Sequence, residues 1–261
     1  MPQFQNGRAS VHYEILGQGR PLLLIAGTAS DGASWEPLLP LLPDRQLILI
    51  DNRASGQTRV DGPVELTEMI SDCAALLDHL GLGPIDVVGH SLGGFLGLAL
   101  AANHPEKVSR LVTMGAGTLS GKERVLLRDM SRLYFTVPPT DWFRLLFQWL
   151  FSTPFFADEA NVAAAAAAST AYQFRQSPGD FARQVAAIDR APAIDFSRVA
   201  CEVLAISGDL DLLAPQSAVT ELHRAVPGTQ YVTIPNVAHS IHREAPRAAA
   251  DAIDAFLREE D

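Results

Sequence analysis

The residues best suited to chemistry in this 261-residue chain are Gly89-His90-Ser91-Leu92-Gly93, a G-x-S-x-G pattern. A serine set at a sharp turn from strand into helix can attack a carbonyl carbon, and the helix N-terminus favours the negative charge that develops. Side chains at 89 or 93 would clash in so tight a bend, and the turn itself strains the backbone of Ser91. A hydroxyl alone is a weak nucleophile, so a base and a group that orients the base must come from elsewhere. Seven histidines are the candidate bases. His12 lies in a strand-like stretch, and His79, His104 and His223 lie on or at the ends of helix-like ones, where surface positions are expected. His90 belongs to the turn and is expected to pack beside Ser91. His239 and His242 remain. No third ligand cluster accompanies them, so no metal is expected at this His-x-x-His. Cys73 and Cys201 are too few for a disulfide framework and read as buried, inert thiols.

The turn at Ser91 demands a strand before it and a helix after it, and the chain offers both throughout. The apolar runs 22–26, 46–50, 85–88, 110–114, 203–207 and 230–234 read as strands buried on both faces, as in a mostly parallel sheet. The alternating stretch 11–15 reads as an antiparallel edge that ends in a hairpin turn at Gly17 and Gly19. Helices are predicted over 67–80, 92–104, 216–225 and 247–258. This alternation predicts an α/β class, with ligand chemistry on loops beyond the carboxyl ends of the strands. Residues 118–196 interrupt it with no strand-like run, and nine aromatic residues crowd between Tyr134 and Phe156. Trp142, Phe143, Leu145, Leu146, Trp149 and Leu150 form a wide apolar helical face, and the alanine-rich 162–171 is a strong helix former. The reading is a core of residues 1–117 and 197–261, with 118–196 inserted as a helical cap.

With these motifs the chain resembles the α/β-hydrolase fold superfamily, specifically its small serine esterase and lactonase branch with a helical cap. It is similar there to 3-oxoadipate enol-lactonase-like hydrolases. The resemblance runs from about residue 8 to 257. It rests on residues 89–94, on Asp-Asn-Arg-Ala-Ser-Gly-Gln-Thr at 51–58, on Gly-Asp-Leu-Asp-Leu-Leu-Ala-Pro at 208–215 and on Val-Ala-His-Ser-Ile-His-Arg-Glu-Ala-Pro at 237–246. It implies a mostly parallel central sheet flanked by helices, Ser91 as nucleophile, His239 as base and Asp211 as the orienting acid. His242 competes as base. Asp209 competes as acid, although it also serves as a turn former. Some relatives carry the acid after an earlier strand, but that position here reads Met114-Gly115-Ala116-Gly117. The oxyanion hole is implied at the amides of Leu92 and Thr28. Two departures stand out: Ala26 replaces a loop-supporting histidine before Gly27, and Ala54 and Ser55 replace glycine and histidine. Asp51 and Arg53 read as braces of the latter loop.

The resemblance implies cleavage of a small-to-medium carboxylic ester or lactone, a small-molecule partner. C–C bond hydrolysis, thioester cleavage and cofactor-free perhydrolysis are alternatives on the same residues. A ligand-binding receptor on a hydrolase scaffold is a further one. Ser91 in place of a carboxylate excludes the alkyl-ester chemistry of dehalogenases and epoxide hydrolases. Trp142, Phe143, Phe147 and Trp149 are the expected pocket wall, favouring apolar substrates, while Arg124, Arg128, Arg132 and Arg144 are the cations available to a dianionic one. No phosphate loop or Cys/His cluster is present, so no cofactor and no metal are expected. A net charge of −10 argues against nucleic acid and anionic membrane surfaces. With no stretch near the ~18–20 apolar residues of a membrane span and no signal core, a cytoplasmic protein is expected.

Overall fold

A computed structural model describes residues 2–118 and 121–258. The strands are β1 (Gln3–Asn6), β2 (Ala9–Leu16), β3 (Arg20–Ile25), β4 (Arg45–Ile50), β5 (Arg59–Val60), β6 (Ile85–His90), β7 (Val108–Met114), β8 (Glu202–Gly208) and β9 (Gln230–Ile234). The α-helices are α1 (Leu66–His79), α2 (Leu92–Asn103), α3 (Gly121–Tyr134), α4 (Pro139–Leu150), α5 (Glu159–Ala171), α6 (Pro178–Asp189), α7 (Gln216–His223), α8 (Ile241–Glu244) and α9 (Pro246–Leu257).

The sheet order is β1-β2-β4-β3-β6-β7-β8-β9, with β5 paired to β2. Every pair from β4 to β9 is parallel, and β1 and β2 are antiparallel. Successive residues serve opposite layers. Val87 and Leu111 join the core under α1 and α2, while Val88 and Val112 join the core under α9. No helix among the described residues is long and apolar enough to cross a membrane.

Several sequence expectations are corrected. The glycine turn at 17–19 does not make a hairpin, because β4 lies between β2 and β3. The buried apolar run Leu22–Ile25 of β3 has a parallel neighbour on each side, β4 and β6, and β2, whose Ile15 and Leu16 are exposed, is not one of them. The outermost strand on that side is β1. At the other end β9 is not buried on both faces: Gln230–Thr233 are exposed, as befits a strand with one neighbour. His12 and His223 are buried. Each has a hydrogen-bonding partner, the Asp51 carboxylate at 2.8 Å and the Thr113 hydroxyl at 2.9 Å. Cys73 is buried, but Cys201 is only half-buried.

Helices α3 to α6 follow one another between β7 and β8 and close around their own cluster. Trp142 stacks on Tyr134 at 3.8 Å and donates from Nε1 to the Met130 carbonyl at 2.8 Å. The predicted apolar face of α4 is narrower than its pattern: Leu145 is 44% exposed and Trp149 lies half-buried beneath Lys122 Nζ. This helical layer is fastened to the loop after β4. Gln176 and Gln184 donate to the carbonyls of Ala54 (2.6 Å) and Arg53 (3.0 Å).

Candidate active site

The turn between β6 and α2 holds Ser91 at φ +53° and ψ −118°, a conformation that costs a non-glycine residue about 1–3 kcal/mol. Its surroundings explain the pattern. A Cβ on Gly89 would lie 2.2 Å from the Gly93 carbonyl oxygen, and one on Gly93 would lie 1.9 Å from that of Ile25. Only hydrogen fits at either site. The Ser91 amide donates to Met114 in β7 at 2.8 Å, which anchors the turn to the sheet. Leu92 opens α2, so its amide is among those without an intrahelical acceptor.

Asp211 follows β8 and His239 follows β9, and the structure joins them. His239 Nδ1 donates to Asp211 Oδ2 at 2.8 Å, with both residues buried. This bond fixes the tautomer and leaves His239 Nε2 as the other nitrogen. The second carboxylate oxygen accepts the amides of Leu213 and Ala214, each at 2.8 Å. Burial pushes the Asp211 carboxyl upward, but the charge of His239, its hydrogen bond and the two amides outweigh that and hold it below the usual range. Asp209 is instead exposed and caps the Val237 amide.

His90 Nε2 donates to the His239 carbonyl at 2.9 Å, so the turn carrying Ser91 and the loop carrying His239 are tied directly. Burial, then the neighbouring His239, lowers His90 to about 3, so this imidazole is neutral. His242 packs between His90 and Trp35, with ring centroids at 4.5 and 5.0 Å. Burial, then the charges of His90, Arg243 and His239, holds it well below the usual histidine range, and neither ring nitrogen has a hydrogen-bond partner among the described residues.

Thr28 sits in the loop after β3. A Cβ on the preceding Gly27 would lie 3.1 Å from Ser91 Cβ, so this loop passes directly beside the serine. Support for it, in the absence of the usual histidine, comes from Asn52, whose Nδ2 donates to the Ala26 carbonyl at 2.9 Å. Asp51 braces the same region through the amides of Gly32 (2.9 Å) and Gln57 (2.8 Å). Arg53 turns away to Asp72.

Ser91, His239, Thr28 and Leu92 all line one cavity of about 960 Å³. Trp142, Phe143 and Phe147 of α4 line it too. Trp149 does not: its half-buried ring faces Lys122 instead. The four arginines expected as substrate cations also lie elsewhere. Arg124 and Arg128 reach Asp189, Arg132 reaches Asp129, and Arg144 reaches Glu159. The wall instead contains residues the sequence did not single out, among them Asp31, Tyr172, Arg175 and Gln176. No periodicity marks them, because they come from loops that only the packing of the helical layer on the sheet brings together. Among the described residues no group of His, Cys, Asp or Glu is arranged to hold a metal ion.

The geometry of a strained serine on a strand–helix turn, inside a parallel sheet of this order, agrees with the family comparison. Residues 20–246 match the family described as alpha/beta hydrolase fold. The chain belongs to that family. As a member it is an α/β-hydrolase enzyme. Among its relatives, a Mycobacterium tuberculosis protein named as a non-heme bromoperoxidase, BpoC, is 30% identical over 257 residues, covering 94% of this chain and 96% of that one. The crystal structure of BpoC superposes with a TM-score of 0.83 over 95% of each chain. A protein of Azorhizobium caulinodans named as a carbamate hydrolase, RutD, is 35% identical over 150 residues. That match spans 53% of this chain and 57% of the relative. The enol-lactonase of Burkholderia xenovorans LB400 has the same fold, with a TM-score of 0.85 at 22% identity over 99% of this chain and all of that one.

Proposed function

We propose that this chain is a serine hydrolase that cleaves a small-to-medium carboxylic ester or lactone through an acyl-enzyme on Ser91. The observation that carries the reading is the buried 2.8 Å bond from His239 to Asp211, with His239 and the strained Ser91 on the wall of one cavity. In this scheme His239 Nε2 takes the Ser91 proton as Oγ bonds to the carbonyl carbon. Asp211 orients the ring and stabilises the imidazolium. The amides of Thr28 and Leu92 receive the oxyanion. Collapse breaks the bond to the alcohol oxygen, which leaves with the proton from His239. Water, deprotonated by the same nitrogen, then releases the acid from Ser91. Residues 118–196 act as a cap whose aromatic side chains exclude water and receive an apolar acyl group.

The names of the relatives fit acyl chemistry of this kind, since a carbamate and a lactone present the same carbonyl to a serine. The 30% identity to BpoC favours one further reading: hydrogen peroxide in place of water, converting the acyl-enzyme to a peracid and free Ser91. A fluorophosphonate probe with peptide mapping tests the main reading. Labelling at Ser91, lost in Ser91→Ala together with p-nitrophenyl ester turnover, is the expected result. Turnover that survives in Ser91→Ala sinks it.

A further inference from the structure

Beside the main cavity lies a second, partly open pocket of about 100 Å³, bordered by the loop after β4 and the segment before and within α6. Three arginines line it, the exposed Arg59 and the half-buried Arg175 and Arg183, against one acidic residue among the described residues, Asp180. That balance is the reverse of the whole chain, which carries 30 acidic and 20 basic residues. Asp180 is already taken by Arg183, which also donates to the carbonyls of Val60 and Gly62 at 3.0 and 2.7 Å. Arg59 and Arg175 meet no carboxylate among the described residues. Arg59 uses Nη1 on the carbonyls of Gly56 and Thr58, at 3.1 and 3.3 Å. Arg175 uses Nη1 on that of Thr170, at 3.2 Å. A guanidinium has five N–H donors in a planar fork that matches carboxylate and phosphate oxygens, so both arginines keep donors to spare. The space is more than a single water needs and admits a small oxyanion. Ser55, Gly56, Phe174, Arg175 and Gln176 line both spaces, so the pocket adjoins the cavity that holds Ser91.

We propose that this pocket is an anion subsite, in which Arg59 and Arg175 hold a carboxylate or phosphate group at the end of the substrate remote from the scissile bond. The substrate as source rests on the serine-hydrolase reading; the anion affinity of the pocket does not. The enzyme then prefers amphipathic esters, apolar along the aromatic wall and anionic at the far end.

The test compares two p-nitrophenyl esters of equal length, one ending in a free carboxylate and one in its methyl ester. The native enzyme favours the carboxylate in kcat/KM. Arg59→Gln and Arg175→Gln each reduce that ratio about tenfold, as loss of a charge-assisted fork requires. Arg132→Gln, exposed on α3 and outside the pocket, leaves it where it was. Inorganic phosphate is the second probe: it raises the Tm of the native protein and competes with the carboxylated ester, and both effects disappear in the two variants. A phosphate effect that the variants abolish, without a carboxylate preference, upholds the pocket and overturns the substrate as its source. No dependence of either probe on Arg59 or Arg175 overturns the proposal. If the native protein turns over neither ester, the hydrolase reading fails while the phosphate measurements still decide the pocket.

Discussion

Tyr172, just beyond the C-terminal end of α5, donates a 2.9 Å hydrogen bond to Asp31 Oδ2, in the loop that also carries Thr28. The other Asp31 oxygen caps the Ala33 amide at 3.0 Å. One carboxylate thus joins the helical layer to the loop beside Ser91.

That carboxylate should shape the pH dependence of stability. Burial, then the charge of Asp51, raises Asp31 from the ordinary 3.8 to about 6, against the opposing bonds from Tyr172 and Ala33. Between these values the unfolded chain has released the proton that the folded one retains. Stability therefore falls as pH rises from about 4 to about 6, by an amount on the order of 3 kcal/mol, and stays lower above. Asp31→Asn keeps a capping side chain and removes the titration. Urea unfolding at pH 4.5 and 7.5 should show the variant more stable than the native chain only at the higher pH. An equal difference at both would refute this.

The two histidines near the C-terminus should separate cleanly. His239→Ala should lower kcat/KM by roughly 10³-fold or more, since it removes the only ring bonded to Asp211 among the described residues. His242→Phe keeps the ring contacts with His90 and Trp35 and removes two unpartnered buried nitrogens. Its unfolding free energy should match or exceed the native value, because nothing is lost that was bonded. A destabilisation above about 2 kcal/mol would contradict that account.

The aromatic wall makes a prediction about chain length. Each methylene buried there should add about 0.8 kcal/mol, or roughly fourfold in kcat/KM, along p-nitrophenyl acetate, butyrate and hexanoate. Phe147→Ala should change that series, and Trp149→Ala, whose ring lies outside the cavity, should not. Acetate as the best substrate would count against an apolar acyl site.

Arg53 offers a test of stability away from the chemistry. It grips Asp72 at 2.7 and 2.9 Å in buried surroundings and reaches Glu68 at 2.7 Å. Arg53→Met leaves the Asp72 carboxylate buried against Asn6 alone, which should cost about 3–5 kcal/mol in urea unfolding. Adding Asp72→Asn should recover part of it, and additive losses would show that the pair is not coupled.

What the chain order alone determined is everything governed by local backbone. The strand, turn and helix around Ser91 are legible because apolar run, glycine spacing and helix former are adjacent in sequence. The β/α rhythm is legible because buried strands and amphipathic helices differ in period. That Asp211 and His239 each come just after a strand is legible in the same way, but the resemblance to the hydrolase family, not periodicity, singles them out from Asp209 and His242. Contacts between distant segments were not legible. Nothing near Gly17 says that β4 will slide between β2 and β3, and nothing in α4 says which side of a wide apolar stripe meets a cavity and which meets Lys122. Burial of His12 and His223 is matched by Asp51 and Thr113, partners from a loop after β4 and from β7 that are distant in sequence. The Asp31–Tyr172 bond and the three-arginine pocket likewise join residues from the helical layer to loops of the sheet. Periodicity states which face is apolar, but only tertiary packing selects what that face meets, and with it the shape and charge of the site.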